Sequence, residues 1–464
     1  MPLLELDEIA TATGGDLIAG GKRVHISGFR IDSREVEEGD LFFCIIGPNN
    51  DGHTFLRDVA SRGASAAIVS RDVDEELKQK IRIIKVADTT EALQRLARHV
   101  RMKRQFRVVG ITGSTGKTTT KEMSYEALSP SFKTGRSRGN LNNLYGLPLS
   151  LLETDDETEV SILEMGMSYP GELRKLASIS SPDIGVLTGI KAVHLEHFGS
   201  IDEIANAKAE LFESMSADAT ALYNIDDERA RDIGRRFSGR KFSFGLERNA
   251  DAYAFGLKDS IRKGISFGCS CQGESLRLNL SLFGIHNVYN ALAALSVCAV
   301  LGANLKKAAD ALARFKPFDK RGVILFLKRG ITVIDDTYNS NPAAMEMVLR
   351  SMKNEKTSGR KAVVSGDMLE LGSDASILHE KLGEKIADAG IDLLIAVGEL
   401  SARTADVAAR FGVRECRLFS SSQEAADEIV NMIRADDLIL VKGSRGMKME
   451  IVAEKLRNEI GEEC

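Results

Sequence analysis

The chain has 464 residues, with 62 Lys and Arg against 67 Asp and Glu and a net charge of -5; its length suggests about three domains with real cores. So even a balance excludes a global positive field for nucleic acid or an anionic membrane, and any phosphate must be held by a local site. Six cysteines scattered at 44, 269, 271, 298, 416 and 464 lack the pairing of a disulfide framework, MPLLELDEIA has no basic flank, and no apolar run nears the roughly 20 residues of a membrane helix, so a cytoplasmic protein with no membrane insertion is expected.

Residues 1–98 alternate short helices and strands: LDEIATAT reads as a helix, LFFCII (41–46) and AAIV (66–69) as strands, and HTFLRDVASRG as an amphipathic helix ending at Gly63. This is a small α/β domain. Two polar clusters, Asp32-Ser33-Arg34 and Gly47 to His53, either make turns for backbone reasons or, in the first case, set the Arg34 fork beside Ser33 to hold a phosphate or a pyrimidine edge. The basic stretch Arg98 to Arg107 is either a domain junction or a solvated helix end.

From Arg107 the chain reads RVVGITGSTGKTTTK. Val108 to Ile111 form a buried strand, and Gly113, Ser114, Thr115 and Gly116 curl the backbone so that its N–H groups face inward. Lys117, Thr118 and Thr119 open a helix, where the amides and the positive helix end favour an anion, the lysine reaches terminal phosphates and the Thr118 hydroxyl suits magnesium. The usual template needs glycine at 111, where this chain has Ile111, so the loop is the shorter TGSTGKTT form.

Strands at 160–163 and 184–187 and helices at 201–215 and 287–301 continue the alternation, giving a P-loop ATPase-like domain over 99–316 with a mostly parallel sheet and ligands at the carboxyl ends of its strands. Asn140, Asn142 and Asn143 either cap turns or bind a polyhydroxylated, phosphorylated ligand. Glu164 ends a strand where the cradle opens, and a carboxylate there suits magnesium. His194 and Lys208 are ambiguous singly and form a pattern together. The pair Cys269 and Cys271 lies in a polar stretch with no second pair at zinc spacing. Asn287 and Asn290, at i and i+3 of a helix, either cap it or read an adenine edge.

The pattern breaks at Phe315-Lys316-Pro317-Phe318, and 317–464 reads as a Rossmann-like domain with strands at 331–335, 361–365, 392–397 and 437–441 and helices at 342–353, 376–389, 401–410 and 422–433. Three loops follow strand ends: DDTYNSNP, whose acids, Asp336 among them, could hold a ribose or order Arg321; GDMLELG; and KGSRG, with Lys442, Ser444 and Arg445.

The succession TGSTGKTT, GNLNNLYGLP, LEMGM, AVHLEHFGS, NAKAELF, HNVYNALAA, DDTYNSNPAAM, GDMLELG and VKGSRGMKME closely resembles the Mur ligases over nearly the whole chain. The resemblance implies three domains and an amide ligase that splits ATP to ADP and phosphate, with Mg2+ as a further cofactor. DSR and DGHTF fall where that family binds a uridine nucleotide, which gives Ser33 and Arg34 a substrate role. The last three runs are the most subtype-specific. They imply D-Ala-D-Ala and UDP-N-acetylmuramoyl-tripeptide as partners, with Asn140, Asn142, Asn143, Lys442, Ser444 and Arg445 binding substrate. By the same resemblance Lys117, His194 and Lys208 are catalytic, and Gly113 to Thr119 with Asn287, Asn290, Arg321 and Asp336 hold the nucleotide. Thr118, Glu164, His194 and Lys208 as a carbamate bind metal. A monomer is expected. The alternatives are another Mur-type or folylpolyglutamate-type ligase, which has no need of a uridine-nucleotide domain, or a non-catalytic nucleotide-binding homologue. One departure from the family's T-N-I-G is visible, since this chain reads Thr188-Gly189-Ile190-Lys191.

Overall fold

The computed structural model describes residues 4–463 apart from 22–23, 193–195, 197 and 319. It contains three sheets, each mostly parallel and each covered by helices. The first runs in the order Asp16–Ala19, Arg82–Lys85, Ala66–Val69, Leu41–Phe43, Phe29–Arg30, with only the first pair antiparallel. The strand expected over 41–46 stops at Phe43, because the turn at 47–52 folds back on it: Gly52 N–H donates to the Ile45 carbonyl (2.8 Å), and a Cβ on Gly52 would lie 2.8 Å from the Cys44 backbone. The helix expected from His53 begins as a 3-10 turn, Gly52–Phe55, under an Asp51 cap on His53 N–H (3.0 Å), and becomes α-helical over Leu56–Ser61.

The helix Thr89–Lys103 runs through residue 98 without a break. Its apolar stripe, Ala92, Leu93, Leu96, Ala97 and Val100, is buried against the helices Leu6–Thr13, Gly146–Leu152 and Glu172–Ser180, so the first sheet and the second share one packed layer. Within the basic stretch Arg98, Lys103 and Arg107 are exposed, while Arg101 and Arg104 are held inward. Arg101 pairs with Asp183 (2.9 Å), and Arg101 and Arg104 lie over the Phe106 ring at 5.2 and 5.3 Å.

Nine strands make the central sheet, in the order Glu274–Leu280, Gly264–Cys271, Ala252–Ser260, Arg240–Gly245, Thr220–Asn224, Ile184–Leu187, Arg107–Thr112, Val160–Glu164, Thr134–Arg136. The last seven are parallel and the first three form antiparallel hairpins. Cys269 and Cys271 belong to a strand that alternates buried and half-buried residues, so the C-x-C spacing is the two-residue period of a sheet face. Burial pushes both thiols up to about 12. The turn after Ala252–Ser260 reaches the C-terminal sheet's helix Pro342–Asn354: Ile261 N–H and Ser260 Oγ donate to Glu355 (2.8 and 3.2 Å), Ser351 Oγ meets Asp259 (3.3 Å), and Ile261 packs with Val348 and Leu349.

The third sheet runs Val323–Leu327, Ile331–Asp335, Leu438–Lys442, Lys361–Gly366, Leu393–Val397, Glu415–Phe419, parallel except for the first pair. Both strands absent from the sequence reading, Val323–Leu327 and Glu415–Phe419, are edge strands with half-exposed faces; Glu415–Phe419 lacks the unbroken apolar run that marks an interior parallel strand, whereas Val323–Leu327 is apolar throughout. The foot of the central strand is fixed by Asp437, fully buried and accepting from Arg360 Nη2 (2.8 Å), Arg360 N–H (3.1 Å) and Arg434 N–H (2.8 Å). Removing one partner of such a pair leaves a buried charge without compensation. Asp437→Ala is expected to cost about 3 kcal/mol, read as a lower denaturant midpoint for the C-terminal unit; an unchanged midpoint would show that Arg360 is served equally well by Glu415, 3.3 Å away.

Candidate active site

The strand Arg107–Thr112 lies between Ile184–Leu187 and Val160–Glu164, all parallel, so Thr112, Leu187 and Glu164 end at the same edge. There the chain makes its tightest turn. A Cβ on Gly113 would come 1.9 Å from Thr188 Oγ1, and one on Gly116, at φ +80, 2.5 Å from Asn290 Oδ1, so glycine is required at both places. The segment 188–191 clamps the loop from one side. Ser114 N–H donates to the Gly189 carbonyl (2.9 Å), Ser114 Oγ exchanges hydrogen bonds with the Lys191 backbone (2.9 Å each), and Thr188 Oγ1 donates to the Thr115 carbonyl (2.6 Å). Gly189 acts there through its backbone.

Lys117 begins the helix Lys117–Leu128 and folds over the loop, its Nζ donating to the Gly113 carbonyl (2.9 Å). Burial holds its ammonium below the ordinary value; Glu164 opposes that shift and Arg321 reinforces it. Glu164 is buried. Its Oε1 accepts from Asn142 Nδ2 (2.8 Å), its backbone N–H donates to Ser137 Oγ (3.2 Å), and its buried Oε2 has no hydrogen-bond partner among the described residues. Thr118, also buried, borders the same cavity. An orphaned carboxylate oxygen beside a hydroxyl is a hard-oxygen set suited to a small divalent cation.

The asparagines divide by role. Asn143 Oδ1 accepts from Tyr145 and Gly146 N–H (3.1 and 2.9 Å) and caps the helix Gly146–Leu152, Asn142 holds Glu164, and Asn140 is exposed at the cavity rim. On the helix Ile285–Leu301, Asn287 donates to the Phe283 carbonyl (2.8 Å), and Asn290 donates to Asn287 Oδ1 (3.1 Å) and accepts from Thr120 (3.2 Å). Both amides border the cavity while tying the helix to the phosphate loop.

Lys208 sits on the helix Ile201–Glu213, capped by Ser200, and is 2 % exposed. Its pKa lies well below the ordinary 10.5, first through burial and then through the charge of Lys117, and its ammonium has no ion-pair partner among the described residues. His194 lies outside the described residues.

From the third sheet, Arg321, Asp336, Lys442, Ser444 and Arg445 face the phosphate loop across one cavity of about 710 Å³. Asp336 pairs with Lys442 Nζ (2.5 Å) and not with Arg321, which lies 3.8 Å from the Tyr338 ring centre, its Nε without a partner among the described residues. Lys442 also donates to the Asn339 carbonyl (2.8 Å), and Ser444 Oγ accepts from Leu369 N–H (2.8 Å), so both serve the loops around them. Arg445 stands 5.2 Å from the same ring. Ser33 and Arg34 are not brought to this cavity: Ser33 is buried in a 3-10 turn, and the exposed Arg34 fork is taken by Asp32 (2.5 Å).

Three residues of the site escaped the sequence reading. Tyr338 carries both arginines, and Tyr289 donates to Asp226 (2.8 Å) on the cavity wall. Lys121 is fully buried beside Glu164. Its place one helical turn after Lys117 was the available signal.

Residues 25–101 match the Mur ligase family catalytic domain, 111–298 the Mur ligase middle domain and 320–445 the Mur ligase glutamate ligase domain. A UDP-N-acetylmuramoyl-tripeptide–D-alanyl-D-alanine ligase from Bacillus subtilis is 32 % identical over 93 % of both chains. Among solved structures, MurF from Acinetobacter baumannii superposes with a TM-score of 0.90 at 30 % identity over 99 % of this chain and 100 % of that one. MurF from Thermotoga maritima, in complex with ADP, gives 0.82 at 30 % identity over 93 % and 97 %. With its three segments matched in order along the chain, and a relative 32 % identical over 93 % of its length, the chain belongs to the Mur ligase family.

Proposed function

We propose that this protein joins D-Ala-D-Ala to UDP-N-acetylmuramoyl-tripeptide, converting ATP to ADP and phosphate, in the cytoplasm and as a monomer. Residues 1–98 take the uridine nucleotide, 99–316 the ATP, and 317–464 the incoming dipeptide. The observation that carries the reading is the meeting of a phosphate loop with Arg321 and Arg445 of the third sheet across one cavity. A folylpolyglutamate-type ligase has no use for the first sheet. A non-catalytic homologue would have no use for Lys117, Glu164 and Lys208 together.

The chemistry follows from the charges. A carboxylate is a poor acyl donor, so the γ-phosphoryl group is first moved onto it to give an acyl phosphate; the amine of D-Ala-D-Ala then attacks the acyl carbon and phosphate leaves. The loop amides and Lys117 hold the phosphates, Arg321 faces them from the third sheet, and Asn287 and Asn290 keep the helix and loop in register beneath the base. Thr118, Glu164 Oε2, His194 and a Lys208 carbamate would hold Mg2+, which when bound supplies positive charge where two anions must approach. Phosphate release measured with UDP-tripeptide and each candidate amino acid or dipeptide tests the whole reading. Turnover is expected with D-Ala-D-Ala, and turnover with glutamate or a diamino acid instead would replace it.

Because Lys442 and Ser444 are already engaged, Arg445 is the cation left for the dipeptide carboxylate. Arg445→Ala is expected to raise the KM for D-Ala-D-Ala about tenfold while moving that for UDP-tripeptide less than about twofold. Equal effects on both would remove Arg445 from that role.

Lys208 suits carbamylation because burial leaves its amine neutral at lower pH than usual: the nitrogen bonds to the carbon of CO2, a proton is released, and an anionic oxygen donor results. With 13C-bicarbonate the protein should show a carbamate carbon that fades at low pH and is absent from Lys208→Arg, which should also be inactive. A wild-type rate in that variant would make Lys208 a bystander. In CO2-free protein the depressed pKa means that the unfolded chain binds the extra proton, so the stability cost is full below the depressed value and vanishes as pH rises towards 10.5. Lys208→Met should therefore raise the melting temperature by about 2 °C or more near neutral pH, with the gain shrinking at alkaline pH.

A further inference from the structure

Lys121 is a fully buried lysine that touches neither the loop backbone nor the cavity. Its Nζ donates to the Ser137 carbonyl (2.9 Å) and the Gly139 carbonyl (3.0 Å), pairs with Glu122 (3.1 Å), and stops 4.0 Å short of Glu164 Oε2. The segment it grips is the one that positions Glu164. Ser137 Oγ accepts the Glu164 backbone N–H, and Asn142, further along the same loop, donates to Glu164 Oε1 and accepts from Gly166 N–H through its carbonyl (2.8 Å). Glu122 is itself pinned on its far side by the half-buried Arg136 (2.5 Å), so two cations and two carboxylates alternate in one network that reaches from the buried Lys121 towards the surface.

A buried ammonium is stable only when each N–H has an acceptor. Here two carbonyls accept two of them, and the Glu122 carboxylate stands nearer the ammonium, at 3.1 Å, than Glu164 Oε2, at 4.0 Å, which draws Lys121 away from Glu164. Its charge faces the carboxylate, while Oε2 keeps its lone pairs. Had Lys121 closed the remaining distance, that oxygen would be occupied.

We propose that Lys121 is the positioning residue of the cation-binding carboxylate: with Glu122 holding it back, it fixes Glu164 and the 137–143 loop as one unit and keeps Oε2 open for a divalent ion. This rests on the reading of Glu164 as a metal ligand. The arrangement follows the general logic by which neighbours that hold a ligand set its affinity without touching the metal.

The test is Mn2+ binding to the ADP complex, followed by the electron paramagnetic resonance of free Mn2+, beside ADP affinity in the presence of a chelator. Lys121→Met should weaken Mn2+ binding about tenfold or more while changing metal-free ADP affinity less than about twofold. Glu122→Gln covers the case in which the methionine variant does not fold. It frees Lys121 to pair directly with Glu164, and should weaken Mn2+ binding about fivefold or more with the ammonium still present. Wild-type Mn2+ affinity in either variant overturns the proposal. Glu164→Gln separates the two levels, for if it binds Mn2+ as the wild type does, the metal reading itself fails and the proposal with it; if it alone loses the ion, only the role of Lys121 fails.

Discussion

Crowding of like charge among buried side chains at one edge of the central sheet is the constraint on which the rest depends. Burial does most to depress the tendency of Lys117 and Lys208 to hold a proton; the charge of Lys117 adds to the effect on Lys208, and Arg321 adds its own field on Lys117 from the third sheet, against the opposing field of Glu164. Cations brought together without a counter-ion repel more strongly as water is removed. The fold tolerates this because Lys117 leans on a backbone carbonyl and Arg321 on an aromatic ring, partners that satisfy direction without cancelling charge. A bound polyphosphate would place negative charge between Lys117 and Arg321, which reach the cavity from two different sheets.

The loop beneath that field is rigid on both flanks. Thr188, Gly189 and Lys191 hold it through backbone and hydroxyl groups, while Asn290 packs against Gly116 and receives Thr120 from the opposite side. A phosphate cradle works by having its N–H groups aimed before the ligand arrives. Asn290, on the helix Ile285–Leu301, contributes to that aim by packing against Gly116 and accepting from Thr120.

Much of the cradle was legible in sequence because a turn so close to Thr188 and Asn290 admits nothing larger than glycine, and buried parallel strands must be apolar throughout. The hairpins over 252–280 were not legible. Their residues alternate, with Gly264, Gly268 and several serines on the outward positions, so the apolar signal is half strength and the stretch reads as polar. Edge strands such as Glu415–Phe419 were hidden for the same reason. Asp336 could have met Arg321 or a ribose as far as sequence could say, whereas its lysine partner comes from a strand more than a hundred residues on, and no local pattern carries that information. Lys121 was hidden by its own chemistry, since a charged residue on a helix is normally solvated.

The contact between the hairpin turn at Asp259 to Ile261 and the residues Ser351 and Glu355 attaches the third sheet to the central one at a point separate from the covalent linker near Phe315. A body held at one point can tumble about three axes; a body held at two can turn only about the line that joins them. A change of angle between these sheets that kept both attachments would be a swing about the line between them, and Arg321 and Arg445, both carried with the third sheet, would move relative to the phosphate loop along an arc about that line.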